Sequence, residues 1–512
     1  MAGKSVFEEN TFTVVNTTLS DGGSVTVEAD AFIMPPTSTG LVLNPSTWKV
    51  VVDGTIRSLG DGLTFASNVS SVGNSKLTVG DEGSIVATGA STNGVKMGVP
   101  VDIANAGLIQ GKLFGINADF FGPTSSKGFT IVNAEGATIA GGDTGIFNGN
   151  TTPAMTVKNA GEIIGQAGTA IEWNGAFTLV NDGGTIDGNL ISGNKLGTFA
   201  TSITNSNLLQ GDISLSNGDD TLKNAGVLFG TVSFYEGTNK ITNSGTIFDA
   251  LVAGSGNNTL TNSGSLDAVT FGGGKNTVTN SDSMSTLTLG GGDDTVKNSG
   301  TIDSVTMGDG SNTLTNSGDI DGTLTLGSGD DTVHNTKYIL TVILGNGSNS
   351  LTNSGDIISL LGGTGTDIVK NTGEIGTVDL KGGDDTFIGA NTSEQVSDDL
   401  GNDTYKLGGG DDRIALASGN DNCDGGAGSD NVDLGSLATI CFVNLDTKAV
   451  VMINQTLGAN TVATAGIAAS SLDLINGTAG ANVLYGAGGN DVLAGGLGSG
   501  RLTGGTDNDT FV

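Results

Sequence analysis

Residues 287–307 read Leu-Thr-Leu-Gly-Gly-Gly-Asp-Asp-Thr-Val-Lys-Asn-Ser-Gly-Thr-Ile-Asp-Ser-Val-Thr-Met. Leu287 and Leu289 alternate with polar neighbours, and a glycine-rich turn then ends in Asp294. Val296 follows, then a bend at Asn298-Ser-Gly, then Ile302, Val305 and Met307. Alternation of this kind sends one side chain inward and the next outward along an extended strand. Both polar landmarks recur. The Asn of the Asn-Ser-Gly phrase falls at 205, 224, 243, 262, 280, 298, 316, 335, 353 and 371. The last residue of the turn falls at Asp220, Asn239, Asn258, Asn276, Asp294, Asn312, Asp331, Asn349, Asp367 and Asp385. Every step is 18 or 19 residues. Two polar columns in fixed phase, joined by short apolar alternations, describe one coil of a parallel solenoid. A single coil is too thin to bury its own apolar residues, so stacking must supply the core. Asn tolerates left-handed backbone at a bend and, when stacked, can hydrogen-bond to its copy in the next coil.

Outside this regular part the pattern loosens. The bend motif persists between residues 50 and 200 in Asn105-Ala-Gly, Asn133-Ala-Glu-Gly and Asn159-Ala-Gly, with longer coils that throw out loops. All six prolines lie before residue 154, where a sheet ladder would least tolerate them later on. The organisation read from the sequence is a cap at 1–50, an irregular solenoid with loops at 51–200, and regular 18–19-residue coils at 201–380. A tighter repeat follows at 381–436, an interrupting segment at 437–476, and a closing repeat at 477–512.

Composition limits function. The chain has 512 residues and 87 glycines, with 53 acidic against 20 basic side chains, for a net charge of −33. Of the acids 43 are Asp and 10 are Glu. Such a chain is repelled by nucleic acid and anionic lipid. Aspartates beside glycine-rich turns need a cation, and oxygen donors of this kind suit Ca²⁺. No stretch is long and apolar enough for a transmembrane segment, and Met1–Glu9 lacks the apolar core of a signal peptide. His334 is the only histidine, and it stands where other coils carry Thr or Lys, as a solvated side chain would. That argues against Ser-His-Asp and Cys-His machinery and against His-based zinc sites, and the expectation is that the protein is not an enzyme.

After residue 380 the period halves. Aspartates stand at 385, 403, 412, 421 and 430, around Gly401-Asn-Asp-Thr-Tyr405, Gly408-Gly-Gly-Asp-Asp412 and Gly425-Gly-Ala-Gly-Ser-Asp430-Asn-Val432. The closing stretch repeats the signature in Gly486-Ala-Gly-Gly-Asn-Asp491 and Gly504-Gly-Thr-Asp-Asn-Asp509. These nonapeptides resemble those of RTX proteins, the hemolysin-type calcium-binding repeat family. The resemblance implies an all-β, right-handed parallel β-solenoid whose 18–19-residue coils pass into an RTX nonapeptide β-roll, with multiple Ca²⁺ held between stacked turns. The metal ligands it implies are Asp294, Asp331, Asp367, Asp385, Asp403, Asp412, Asp421, Asp430, Asp491 and Asp509. Asp385, Asp403 and Asp421 would share one edge and Asp412 and Asp430 the other. At the end of the chain Asp491 and Asp509 would share an edge, opposite Asn482 and Gly500, which lack the carboxylate. Asn239, Asn258 and Asn276 read equally as weak ligands or as neutral hydrogen-bonded turns. Cys423 and Cys441, 18 residues apart, read equally as a disulfide between coils or as two small buried thiols.

The family's behaviour sets the functional expectation. It is a secreted bacterial protein, exported through type I secretion machinery and folded by extracellular Ca²⁺, with a structural or adhesive role as a surface-layer, biofilm or adhesin component. Self-association or a cell-surface glycan would be its partner. The chain stops directly after a repeat, whereas the family usually carries a secretion segment beyond its repeats. A β-helix polysaccharide-active enzyme is the alternative and an ice-binding protein a minor one. The calcium-turn position that would need a Thr ladder for ice instead holds Ser255, Gly273, Gly291, Asp309, Ser328, Asn346 and Thr364.

Overall fold

The computed structural model describes residues 3–7, 12–13, 17–19, 22–35, 39–44, 46–66, 74–119, 128–397, 399–415, 421–425, 431–435, 441–444, 452–455, 462–464, 474–476, 483–485, 490, 492–494, 501–505 and 508–512. Every regular element among them is a β-strand, paired in parallel with its counterpart one coil away, so the chain is a parallel β-solenoid. It divides into two compact units, Met1–Gly272 and Gly273–Val512. No helix among the described residues is long and apolar enough to cross a membrane.

In the first unit each coil gives one strand to a first sheet, bends, and gives one or two strands to a second sheet. Strand Met155–Asn159 shows the design, with Met155, Val157 and Asn159 buried and Lys158 exposed. Its inward Val157 lies in register with Ile131 on one side and Leu179 on the other. The second sheet stacks one apolar residue per coil through Ile33, Ile56, Ile85, Ile109, Ile139, Ile163 and Ile186, each with 0% exposure. Full burial of a branched aliphatic side chain contributes roughly 1.5–3 kcal/mol. That contribution exists only when the neighbouring coil is in place, so the stack is cooperative. Strand Gly3–Phe7 already pairs with Gly23–Val27, which pairs with Trp48–Val52, so parallel pairing runs from the third residue onward. Steps along the isoleucine column vary between 23 and 30 residues and then settle at 19 from Leu209 to Leu228, Ile247 and Leu266. Part of the excess length of the early coils falls at 67–73 and 120–127, outside the described residues.

The second unit repeats the arrangement on a shorter coil. Val278, Val296, Leu314, Val333, Leu351, Val369, Phe387, Tyr405 and Cys423 form one inward column of the first sheet. Met284, Ile302, Ile320, Ile339, Ile357 and Ile375 form the matching column of the second. His334 lies between Thr315 and Thr352 on the exposed face of the first sheet, as a solvated side chain. The register advances by 20 residues after Cys423, which stands beside Val443 rather than Cys441. An inserted pair of residues between the coils is the reason the 18-residue extrapolation misses.

The bends are held by the predicted asparagine stack. In the first unit Asn105, Asn133, Asn159, Asn181, Asn205, Asn224, Asn243 and Asn262 each donate from Nδ2 to Oδ1 of the next, at 2.7–2.9 Å. In the second unit Asn280, Asn298, Asn316, Asn335, Asn353 and Asn371 do the same. All are buried. Most of these amides also bond a carbonyl at their own bend, as Asn298 Nδ2 does with Gly300 O at 3.1 Å. Buried amides are tolerable only because the stack satisfies them.

Candidate metal centre

The second polar column sits at the opposite end of the same short strand. Asp294 immediately precedes strand Thr295–Asn298, which Asn298 ends, and the pairs Asn312/Asn316 and Asp331/Asn335 frame the next two strands identically. Three residues of strand therefore separate an amide ladder from a turn column. The turn itself requires glycine. Gly310 has φ +115°, and a Cβ on it would stand 2.3 Å from the Gly292 carbonyl oxygen of the preceding coil. Backbone contact this close, in left-handed conformation, excludes any other residue without displacement.

Each column residue then ties its coil to the one before. Asp294 Oδ1 accepts from the Asn276 N–H at 2.7 Å, Asn312 Oδ1 from Asp294 at 3.1 Å, and Asp331 Oδ1 from Asn312 at 2.7 Å. The series continues through Asn349, Asp367, Asp385, Asp403 and Asp421, each accepting from the N–H of its predecessor at 2.6–3.1 Å. In the first unit Asp220 Oδ1 accepts from Thr201 N–H at 2.7 Å and Asn239 Oδ1 from Asp220 N–H at 3.1 Å. Asn and Asp thus serve the coil-to-coil bond equally with one oxygen. They differ in the other atom. Asn312 Nδ2 donates to the carbonyls of Gly308 and Gly310, both at 3.1 Å, and Asn239 Nδ2 donates to Gly237 O and to Asn258 Oδ1. At Asn239 both polar atoms of the side chain are therefore hydrogen-bonded. By contrast Oδ2 of Asp220, Asp294, Asp331 and Asp367 is buried with no hydrogen-bond partner.

Electrostatics follow from that geometry. Burial drives the carboxyls of Asp294, Asp331 and Asp367 up to about 6, against the opposing effect of the backbone bonds they accept. Asp220 is driven to about 7, again chiefly by burial. A buried carboxylate oxygen without a donor is a strained arrangement at neutral pH, and a cation at that oxygen relieves it. The donor set, carboxylate and turn carbonyl oxygens only, fits a hard cation such as Ca²⁺. Among the described residues no three His, Cys, Asp or Glu side chains converge on one point. A cation in these turns would accordingly take few carboxylates and complete its shell from backbone carbonyls, which the glycine turns supply.

The structure brings the expected residues Asp294, Asp331, Asp367, Asp385, Asp403 and Asp421 into one column. It places Asp412 on the other edge, buried, with Oδ1 accepting from Glu394 N–H at 2.8 Å. Asp509 is half-buried, in a coil whose Asn508 N–H bonds Asn490 Oδ1 eighteen residues back. Asp430 and Asp491 lie outside the described residues. Two features escaped sequence reasoning. The first is an exposed outer row. Asp293, Asp330 and Asp384 accept from backbone N–H groups of Ser311, Ser348 and Asn402 at 2.9–3.0 Å, so the first carboxylate of each Asp-Asp pair braces the following coil and the second the preceding one. The pairing of letters in Gly-Gly-Asp-Asp was the available signal. The second is Glu394, buried at 2% exposure and 18 residues before Asp412, a spacing that would have found it. The family described as the RTX calcium-binding nonapeptide repeat matches the chain in four copies, over residues 398–432 and 470–502. No curated protein matches the chain.

Proposed function

We propose, from the premise that the chain is a member of the RTX calcium-binding repeat family, that it is a secreted scaffold, structural or adhesive, that folds on extracellular Ca²⁺. The observation that carries the reading is the buried turn column, in which one carboxylate oxygen joins successive coils and, at Asp220, Asp294, Asp331 and Asp367, the other lacks a hydrogen-bond partner. Successive coils lie about 4.8 Å apart. Two carboxylates at that spacing repel by about 3 kcal/mol at an effective dielectric of 20. Along Asp367, Asp385, Asp403 and Asp421 the repulsion repeats at every coil, and cation binding energy there becomes folding energy. A chain of this kind stays unfolded where calcium is scarce and folds once exported, which is the logic of the type I secretion route. Its long satisfied ladders and exposed acidic rows suit a component of a surface layer, biofilm or adhesin that self-associates or holds a cell-surface glycan. It acts as a scaffold rather than a catalyst.

The test has two parts. Circular dichroism in EDTA should lose β-signal that calcium restores, and calorimetry should detect ion uptake; an unchanged spectrum with no uptake overturns the calcium reading. Calcium-dependent sheets, filaments or cell attachment would then support the scaffold role, whereas turnover of alginate or pectin by the folded chain would replace it with a polysaccharide-active enzyme.

A further inference from the structure

The asparagine ladder of the second unit ends on a charge. Every amide in it points the same way, Nδ2 of one coil to Oδ1 of the next, so the last member, Asn371, presents a donor that needs an acceptor. One coil further the asparagine position is Gly389, which has no side chain to offer. Glu394 fills the gap from the neighbouring turn. Its Oε1 accepts from Asn371 Nδ2 at 3.4 Å, from Ala390 N–H at 3.2 Å and from Thr392 Oγ1 at 2.8 Å. Three donors hold one oxygen. The other, Oε2, is buried with no hydrogen-bond partner, on a side chain with 2% exposure.

That asymmetry repeats the arrangement at Asp220, Asp294, Asp331 and Asp367, where one oxygen is engaged and one is not. The backbone repeats it too. Glu394 N–H donates to Asp412 Oδ1 at 2.8 Å and Arg413 N–H to Glu394 O at 2.9 Å, the same two bonds that join Asp385 to Asp403 and Thr404 to Asp385. Gln395 pairs with Arg413 in the adjoining strand, so the turn 390–394 stacks directly on the turn 408–412. Yet Ala390-Asn-Thr-Ser-Glu394 contains no glycine and no aspartate, and it precedes residue 398, where the family match begins. Thr392 stands where Gly410, at φ +128°, stands one coil on.

We propose that Glu394 opens a cation column on the asparagine edge, holding a divalent cation, Ca²⁺ in the native setting, through Oε2 between its own turn and that of Asp412. One residue would then do two jobs. Its Oε1 closes the amide ladder and its Oε2 starts the carboxylate column that replaces the ladder on that edge. The proposal rests on the calcium reading of the turns and extends it to a turn outside the repeat signature. A neutral amide at 394 would keep the ladder closed, since its carbonyl still accepts, and would remove the anionic ligand.

The experiment is native mass spectrometry of the full chain in calcium, comparing wild type with Glu394→Gln, with folding checked by circular dichroism. The expected result is a folded variant carrying one calcium ion fewer. A folded variant with the wild-type count overturns the proposal and leaves Glu394 as a ladder stop only. If Glu394→Gln does not fold, Glu394→Asp decides. A several-fold rise in the calcium concentration needed for folding, at the wild-type ion count, supports the site, and an unchanged midpoint overturns it. Wild type that binds no calcium at all is a failure of the family reading, recognisable because no variant is needed to see it.

Discussion

At the scale of single residues, the turn column and the amide ladder respond to substitution in opposite ways. Asp331 lies between Asn312 and Asn349, which occupy the same place one coil to either side. Asp331→Asn keeps the Oδ1 bond to the preceding coil and turns an orphaned oxygen into a donor, as at Asn312, where the amide bonds two turn carbonyls. We expect Asp331→Asn to gain about 1–3 kcal/mol in EDTA, the cost of an unsatisfied buried polar atom. In saturating calcium it should lose stability, because a ligand is gone. Urea titrations with and without calcium should show the sign change, and equal shifts in both would remove the metal from this turn. Asn316 offers no such trade. Its Oδ1 accepts from Asn298 and its Nδ2 reaches Asn335, Gly318 O and Tyr338 O, all within the core. Asn316→Ala strands a donor below and an acceptor above, so a loss of about 2–4 kcal/mol is expected. That loss should be the same with calcium or EDTA, measured by the same titrations.

At the scale of the coil, what a sequence shows depends on whether each coil repeats the same letters. The asparagine bends and the inward Val, Leu and Ile alternation were legible because every coil must place the same group at the same height. The turn column was legible for the same reason, down to its alternation of Asn276, Asp294, Asn312, Asp331, Asn349 and Asp367. Strands Gly3–Phe7, Gly23–Val27 and Trp48–Val52 carry no shared phrase, only alternation, so their parallel pairing is seen only in the structure. Glu394 was missed because Ala390-Asn-Thr-Ser breaks the glycine pattern while keeping the backbone register. The Cys423–Val443 step was missed because two extra residues shift a count that assumed 18. The column also fixes a pH dependence. Burial raises Asp294, Asp331 and Asp367 to about 6 and Asp220 to about 7, above the usual 3.8 of the unfolded chain. Without calcium the folded state holds protons that the unfolded state releases. The stability these groups confer is complete below about pH 4 and is lost as pH rises through 6 to 7. Asp294, Asp331 and Asp367 each contribute on the order of 3 kcal/mol at most, and Asp220 on the order of 4 kcal/mol. Thermal melts in EDTA should therefore move upward on acidification from pH 7.5 to pH 5. In calcium the shift should shrink or reverse, since protons compete for the same oxygens. A downward shift in EDTA would show that these carboxylates are not buried as found.

For the molecule as a whole, the net charge of −33 raises the question of whether calcium merely screens it. The acidic groups fall into two populations that salt treats differently. Exposed aspartates such as Asp293 and Asp330 face solvent, and simple salt weakens their mutual repulsion. The column residues Asp294, Asp331, Asp367, Asp385 and Asp403 are 1–2% exposed, and mobile counterions do not reach between them. At 1 M NaCl the Debye length is about 3 Å, shorter than the spacing of about 4.8 Å between coils, so surface repulsion is largely gone under that condition. If general repulsion were what opposes folding, 1 M NaCl in EDTA would restore the β-signal. If the column opposes it, NaCl leaves the signal low and millimolar calcium restores it. Magnesium should fall well short of calcium at equal concentration, because it demands a small octahedral shell and gives up water reluctantly, whereas glycine turns offer loosely spaced carbonyls. Circular dichroism across the three salts at pH 7.5 separates the cases. Recovery in NaCl alone would mean that the carboxylate column does not control the coil, and that calcium acts on this chain only as a counterion.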